Sequence, residues 1–279
     1  MRSFDTQEER LDYLLQEFKE DSGQYKDLEV EDGYENKRMA LRSLMNIRMP
    51  GEMSEDIVKV QDEFLEQEAA EKGVVAVSDI PTIRKQYGSK SPFGEKISLW
   101  QGDITRLAAG AIVNAANSRM LGCFVPCHRC IDNAIHSAAG IQLREECSHI
   151  MDKRRMKYGR SYEEPTGTAT LTKGYNLPCD YVIHTVGPIC YSGLDEGLRR
   201  DLQNCYENVL KCCVENHIKS VAFCCISTGE FHFPNKEAAK IAWETVTAFL
   251  EKNESSMERI IFNVFTDYDR EIYESRIRE

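Results

Sequence analysis

No stretch of this 279-residue chain approaches the roughly 20 consecutive apolar residues that a membrane helix needs, so no span is expected. A basic, apolar leader is not expected either. Residues 1–15 (MRSFDTQEERLDYLL) are too acidic and too polar for a signal peptide, and the chain reads as cytoplasmic. Positive charge is in short supply: 35 Lys and Arg stand against 46 Asp and Glu, a formal net charge of −11. General nucleic-acid binding relies on those cations to neutralise phosphates, so it is not expected. A small anionic ligand held by backbone N–H groups is compatible with the acidity. Internal repeats and low-complexity tracts are absent. The 11 cysteines are odd in number, and a reducing compartment keeps them as thiols rather than disulfides.

What is present divides in two. Residues 1–90 hold 13 basic against 21 acidic side chains, whereas residues 91–279 hold 22 against 25. The first part carries helical periodicity over residues 4–18 (Leu11, Leu14, Leu15, Phe18), 39–47 (Leu41, Leu44, Met45, Ile47) and 54–71. Residues 81–94 read as a Gly-, Ser- and Pro-containing connector. The expectation is a small helical N-terminal module over 1–90, then a second domain over 91–279.

That second part alternates strand and helix. Strands are expected at 97–101, 111–115, 169–173, 181–186, 220–226 and 259–264, and helices at 130–148, 198–216 and 236–252. The alternation predicts a three-layer α/β/α fold with a mostly parallel sheet, whose ligand site lies in loops beyond the strands' carboxyl ends.

Several of those loops carry suitable chemistry. An Asp at a strand end, Asp103, can accept from an exocyclic amine or simply cap a turn. Asn114 and Asn117 offer donor and acceptor together, which suits ribose hydroxyls or a plain turn. The run Ile226-Ser-Thr-Gly-Glu-Phe-His-Phe-Pro234 joins a strand to a helix, a backbone arrangement that binds anions without Lys or Arg.

Gly102-Asp-Ile-Thr105, Asn114-Ala-Ala-Asn117, His184-Thr-Val-Gly-Pro188 and Ile226-Ser-Thr-Gly229 together resemble the macrodomain family, the ADP-ribose-binding fold, over roughly residues 95–279. The resemblance implies that Asp103 and Ile104 hold the adenine. It implies too that Ser227, Thr228, Gly229, Glu230 and Phe231 wrap the diphosphate, and that Asn117 faces the distal ribose. Phe265 or Tyr268 would pack on the adenine ring.

After Asn117 the chain departs from the family's usual glycine-rich loop. It reads Met120-Leu-Gly-Cys-Phe-Val-Pro-Cys-His-Arg-Cys-Ile-Asp-Asn-Ala-Ile-His136. Thiolates and an imidazole at this density suit Zn²⁺. Three protein ligands leave a position for water or substrate, whereas four close the site. Cys127 and His128 are adjacent and point apart in an extended loop, so the expected ligands are Cys123, His128 and Cys130. Asp132 and His136 share a helix face at i, i+4. Asp132 matches the family's loop Asp beside the distal ribose; a dipole-stabilising carboxylate at the helix start is the plain alternative. His136 and His184 read as packing residues, and His232 sits in the phosphate loop within reach of a ligand.

The loop resembles that of zinc-containing macrodomains of microbial sirtuin-linked operons. The resemblance implies a zinc-dependent hydrolase that removes mono-ADP-ribose from modified proteins, with Asn117 and Asp132 at the reacting ribose. A lipoyl-carrying glycine-cleavage H-like protein is the partner it suggests. The other readings are a non-catalytic ADP-ribose reader and a scaffold with a structural zinc.

Overall fold

The computed structural model describes residues 4–253 and 256–278. Three helices come first: α1 (Gln7–Ser22), α2 (Tyr34–Ile47) and α3 (Glu55–Lys72). Thr6 and Glu9 form a reciprocal cap at the start of α1, so its first N–H groups are satisfied locally. Ser54 precedes α3, but its hydroxyl makes no capping bond. The apolar stripes of α1, α2 and α3 close on one another around Leu14, Phe18, Leu41, Leu44 and Phe64, a core of their own.

The stretch read as a connector does more than connect. It follows a two-residue strand β1 (Val75–Ala76) and contains a short helix α4 (Ile83–Tyr87). Ile80, Ile83 and Phe93 are buried in the larger core.

The remaining elements are β2 (Ile97–Gln101), β3 (Leu107–Ala108), β4 (Ala111–Ala116), α5 (Ile131–Ala139), α6 (Ile141–Tyr158), β5 (Ala169–Lys173), β6 (Tyr181–Val186), α7 (Glu196–Glu215), β7 (Ser220–Phe223), α8 (Asn235–Lys252), β8 (Arg259–Val264) and α9 (Asp267–Arg278). β1 pairs with β3 in a separate parallel ribbon. The main sheet has the order β2-β8-β7-β4-β6-β5 and is parallel except for the antiparallel edge β5. β4, β6 and β8 are buried along almost their whole length, as strands covered on both faces must be. α5 and α6 pack against β4 and β5, and α8 lies between α7 and α9. This is the mostly parallel, three-layer α/β/α arrangement expected.

Several expected boundaries differ, among them the start of α2 at Tyr34 instead of 39, and two others shape the loops beside the sheet. The helix anticipated over 130–148 is two helices, because Gly140 has φ +92° and ends α5. A side chain there would strike Gln61, Gln142 and Asn176, each within 3 Å of the added carbon. The strand expected to run to residue 226 stops at Phe223. Beyond it the chain turns, with Thr228 N and Oγ1 both donating to Cys225 O.

Candidate active site

A cleft of about 390 Å³ opens where β2, β4, β7 and β8 end. Its walls include Asp103, Ile104, Cys130, the 227–231 loop, Asn263 and Phe265. The parallel strands bring these residues to one rim although they are far apart in sequence.

At one end, Asp103 caps a 3₁₀ turn: its Oδ1 accepts from Thr105 N at 3.0 Å and Thr105 Oγ1 at 2.7 Å. Ile104 is buried beside it. Phe265 is 75% exposed at the cleft wall, whereas Tyr268 is not part of the lining.

The 227–231 loop is held from several sides. Ser227 adopts φ +65°, a strained conformation for a residue with a side chain, and is buried. Phe233 N donates to Ser227 O at 2.9 Å, and Cys190 N donates to Phe231 O at 2.8 Å. Gly187 lies directly against Ser227: a methyl there would fall 2.0 Å from Ser227 Oγ. Gly229 and Glu230 are exposed and open to a ligand. His232 is exposed and faces Tyr191, ring centroids 5.6 Å apart, and it does not line the cleft.

At the other end the loop between β4 and α5 gathers its soft donors. Cys123, His128 and Cys130 place ligand atoms within 4.8 Å of one another. Cys123 Sγ and His128 Nδ1 are 3.6 Å apart. A tetrahedral zinc about 2.3 Å from a thiolate and about 2.05 Å from an imidazole separates those atoms by roughly 3.6 Å, so the donor set fits. The other ring nitrogen, His128 Nε2, faces Glu230 Oε1 at 3.6 Å. Cys127 is turned away, its Sγ 3.3 Å from Ser43 Oγ and 3.5 Å from Met39 O. Burial, and then the neighbouring Cys123 and Asp132, push the Cys130 thiol up to about 12 despite the Asn133 N–H it accepts. A divalent cation reverses that balance by favouring thiolates. Cys130 is shared, since it lines the cleft and belongs to the cluster.

Asp132 is buried at the start of α5. Asn114 Nδ2 donates to its Oδ1 at 2.8 Å, and Asn117 Nδ2 donates to its Oδ2 at 3.3 Å and to Gly122 O at 3.1 Å. Burial raises its carboxyl to about 6 against the pull of Asn114, Arg144 and Asn117. His136 Nε2 lies 3.5 Å from Asp132 Oδ1. Burial first, then His184 and Arg144, hold His136 neutral. His136, Cys147 and His184 form a second group within 4.8 Å, wholly buried. There His184 Nε2 already meets Thr172 Oγ1 at 3.0 Å, and Asn114 Nδ2 lies 3.1 Å from His184 Nδ1. These contacts tie the group into the core.

Sequence reasoning missed several participants. Asn263 and Asp269 line the cleft, and Asp269 is fixed by Asn235 and Thr266. Arg144 is buried under the loop between β4 and α5 and donates to Leu121 O at 2.7 Å. An Arg within an otherwise ordinary helical repeat was its only signal.

The Macro domain family model matches residues 113–242. A protein-ADP-ribose hydrolase of Treponema medium is 42% identical over 268 residues, 96% of this chain and 98% of the relative. A protein-ADP-ribose hydrolase of Staphylococcus aureus (strain MRSA252) is 39% identical over 277 residues, 98% of this chain and 97% of the relative. Among solved structures, the Trypanosoma brucei macrodomain in complex with ADP-ribose has a TM-score of 0.64 at 26% identity, covering 88% of this chain and 97% of that one. The chain therefore belongs to the macrodomain family, on the branch of the protein-ADP-ribose hydrolases.

Proposed function

We propose that this protein hydrolyses the bond between C1″ of the distal ribose and a side chain of a mono-ADP-ribosylated protein, and that it does so with Zn²⁺ held by Cys123, His128 and Cys130. The observation that carries this reading is the position of Cys130, at once a wall of the cleft and a member of the three-donor cluster. Zinc with three protein ligands keeps a position open and supplies Lewis acidity toward an oxygen of the ribose or of water.

The chain's own groups do the positioning. Asp103 and Ile104 take the adenine, with Phe265 as a stacking face. The backbone N–H groups of the 227–231 loop take the diphosphate, which explains anion binding by an acidic protein. Asn117 and the Asp132 carboxylate orient the distal ribose and the attacking water. Binding the remote adenine and diphosphate lowers the barrier at C1″ by fixing the reacting atoms. By family resemblance, a lipoyl-carrying glycine-cleavage H-like protein is the candidate substrate.

The test is release of ADP-ribose from a mono-ADP-ribosylated protein by wild type and by Cys123→Ala at matched folding. Release by wild type alone, with ADP-ribose binding kept in the variant, is expected. Equal release by both removes zinc from the chemistry. No release by either, with binding intact, makes the protein a reader.

A further inference from the structure

The N-terminal helices carry none of the cleft, yet one of them reaches the metal loop. α2 lies against α5, and its side chains bond to the loop's backbone. Asn46 Oδ1 accepts from Cys127 N at 2.9 Å, at a residue whose φ of +50° needs outside support. Arg42 Nη2 donates to Asn133 Oδ1 at 2.7 Å and lies 3.5 Å from His128 O. Asn133 is fully buried and passes the contact on: its Nδ2 donates to Val125 O at 3.0 Å, and its N–H donates to Cys130 Sγ at 3.4 Å. Asn46 Nδ2 also donates to Ser137 Oγ, which donates to Asn133 Oδ1. From beneath, Arg144 joins the same two parts. It donates to Met45 O, Asn46 O and Arg48 O at the end of α2, and to Leu121 O and Cys123 O in the loop.

The loop is thus tied at residues 121, 123, 125, 127 and 128, that is, ahead of the donor set and between its members. We infer that α2 is a built part of the metal site: Arg42 and Asn46 are positioning residues that hold the loop so that Cys123, His128 and Cys130 converge. A loop with a positive-φ residue and three convergent donors pays an ordering cost when it closes on a cation. Contacts made before the metal arrives remove much of that cost, and they appear as metal affinity. The inference rests on the proposed zinc site.

The experiment uses the full chain. Zinc affinity is measured by competition with a chromophoric chelator, and Co²⁺ replaces zinc to report thiolate ligation by absorption. Arg42→Gln and Asn46→Ala are expected to weaken zinc about 10- to 100-fold, the range for groups that orient metal ligands. Arg38→Gln is the control, since Arg38 is on α2 but bonds Glu68 instead of the loop. Its zinc affinity is expected to stay within about twofold of wild type. An Arg42→Gln protein that folds and binds zinc like wild type overturns the inference. So does an Arg38→Gln protein weakened as much as Arg42→Gln, because general loosening of the module then suffices. Should Asn46→Ala fail to fold, the partly exposed Arg42 decides alone. Wild type that binds no zinc sinks the proposed function itself, a result distinct from unchanged affinity in the variants.

Discussion

Asn114 and Asp132 are joined by a 2.8 Å hydrogen bond in the buried floor beside the loop between β4 and α5, with the Asn114 amide donating to Oδ1. One end of the contact belongs to a central strand, the other to a helix start, so the carboxylate is fixed to the most rigid part of the fold. Asp132→Asn leaves the shape almost unchanged and removes the charge. It is expected to lower kcat by about 10²-fold or more while ADP-ribose affinity changes far less. Retention of wild-type kcat would remove Asp132 from the chemistry.

The direction of Cys127 separates a three-ligand from a four-ligand site. Its thiol faces Ser43 and Met39 O. Cys127→Ala is expected to keep bound zinc at the wild-type stoichiometry, whereas Cys123→Ala and Cys130→Ala lose it. Atomic absorption on the purified variants decides the point; loss of zinc from Cys127→Ala would indicate a closed site.

Gly187 is expected to matter for the diphosphate end alone. An added methyl collides with Ser227 and Ile226, and Ser227 is already held at an unfavourable φ. Gly187→Ala should therefore displace the loop and weaken ADP-ribose binding by about tenfold or more, at unchanged zinc content. Calorimetric titration with ADP-ribose measures it, and wild-type affinity would show that the loop does not grip the ligand.

The N-terminal module carries a pH signature. Burial alone would raise the Glu68 carboxyl, but the bidentate Arg38 contact at 2.6 and 2.8 Å, helped by Lys72, brings it down to about 2 from 4.5. A depressed carboxyl contributes stability that is complete above pH 4.5 and is lost as pH falls from there toward 2, about 3 kcal/mol at most. Glu68→Gln should unfold at lower urea than wild type at neutral pH, with the gap closing across that window. Parallel stability curves would contradict it.

The strands at 97–101, 169–173, 181–186 and 259–264 were legible to the residue, since each is rich in β-branched or aromatic residues and Gly102, Gly174 and Gly187 close the first three. The break at Gly140 was not, because the residues on either side keep a helical pattern. Only the approach of Gln61 and Asn176 from other elements leaves no room for a side chain there. The soft donors at 123, 128 and 130 could be read from spacing, and the structure brings them together. Arg42, Asn46 and Asn133 could not. They are ordinary polar residues until α2 and α5 meet, and that meeting is a tertiary fact without local sequence pattern.

The thiols are distributed in a way that makes the chain its own reporter. Six of the eleven cysteines are buried, and burial also keeps Cys147, Cys179, Cys205, Cys213 and Cys224 protonated. Alkylating reagents attack accessible thiolates; of the five half-buried cysteines, burial raises Cys130, Cys212 and Cys225, so modification of the native protein is expected first at Cys123 and Cys127, in the loop between β4 and α5. The speed and number of modified sites, counted by mass, then follow the state of that loop without any substrate being present.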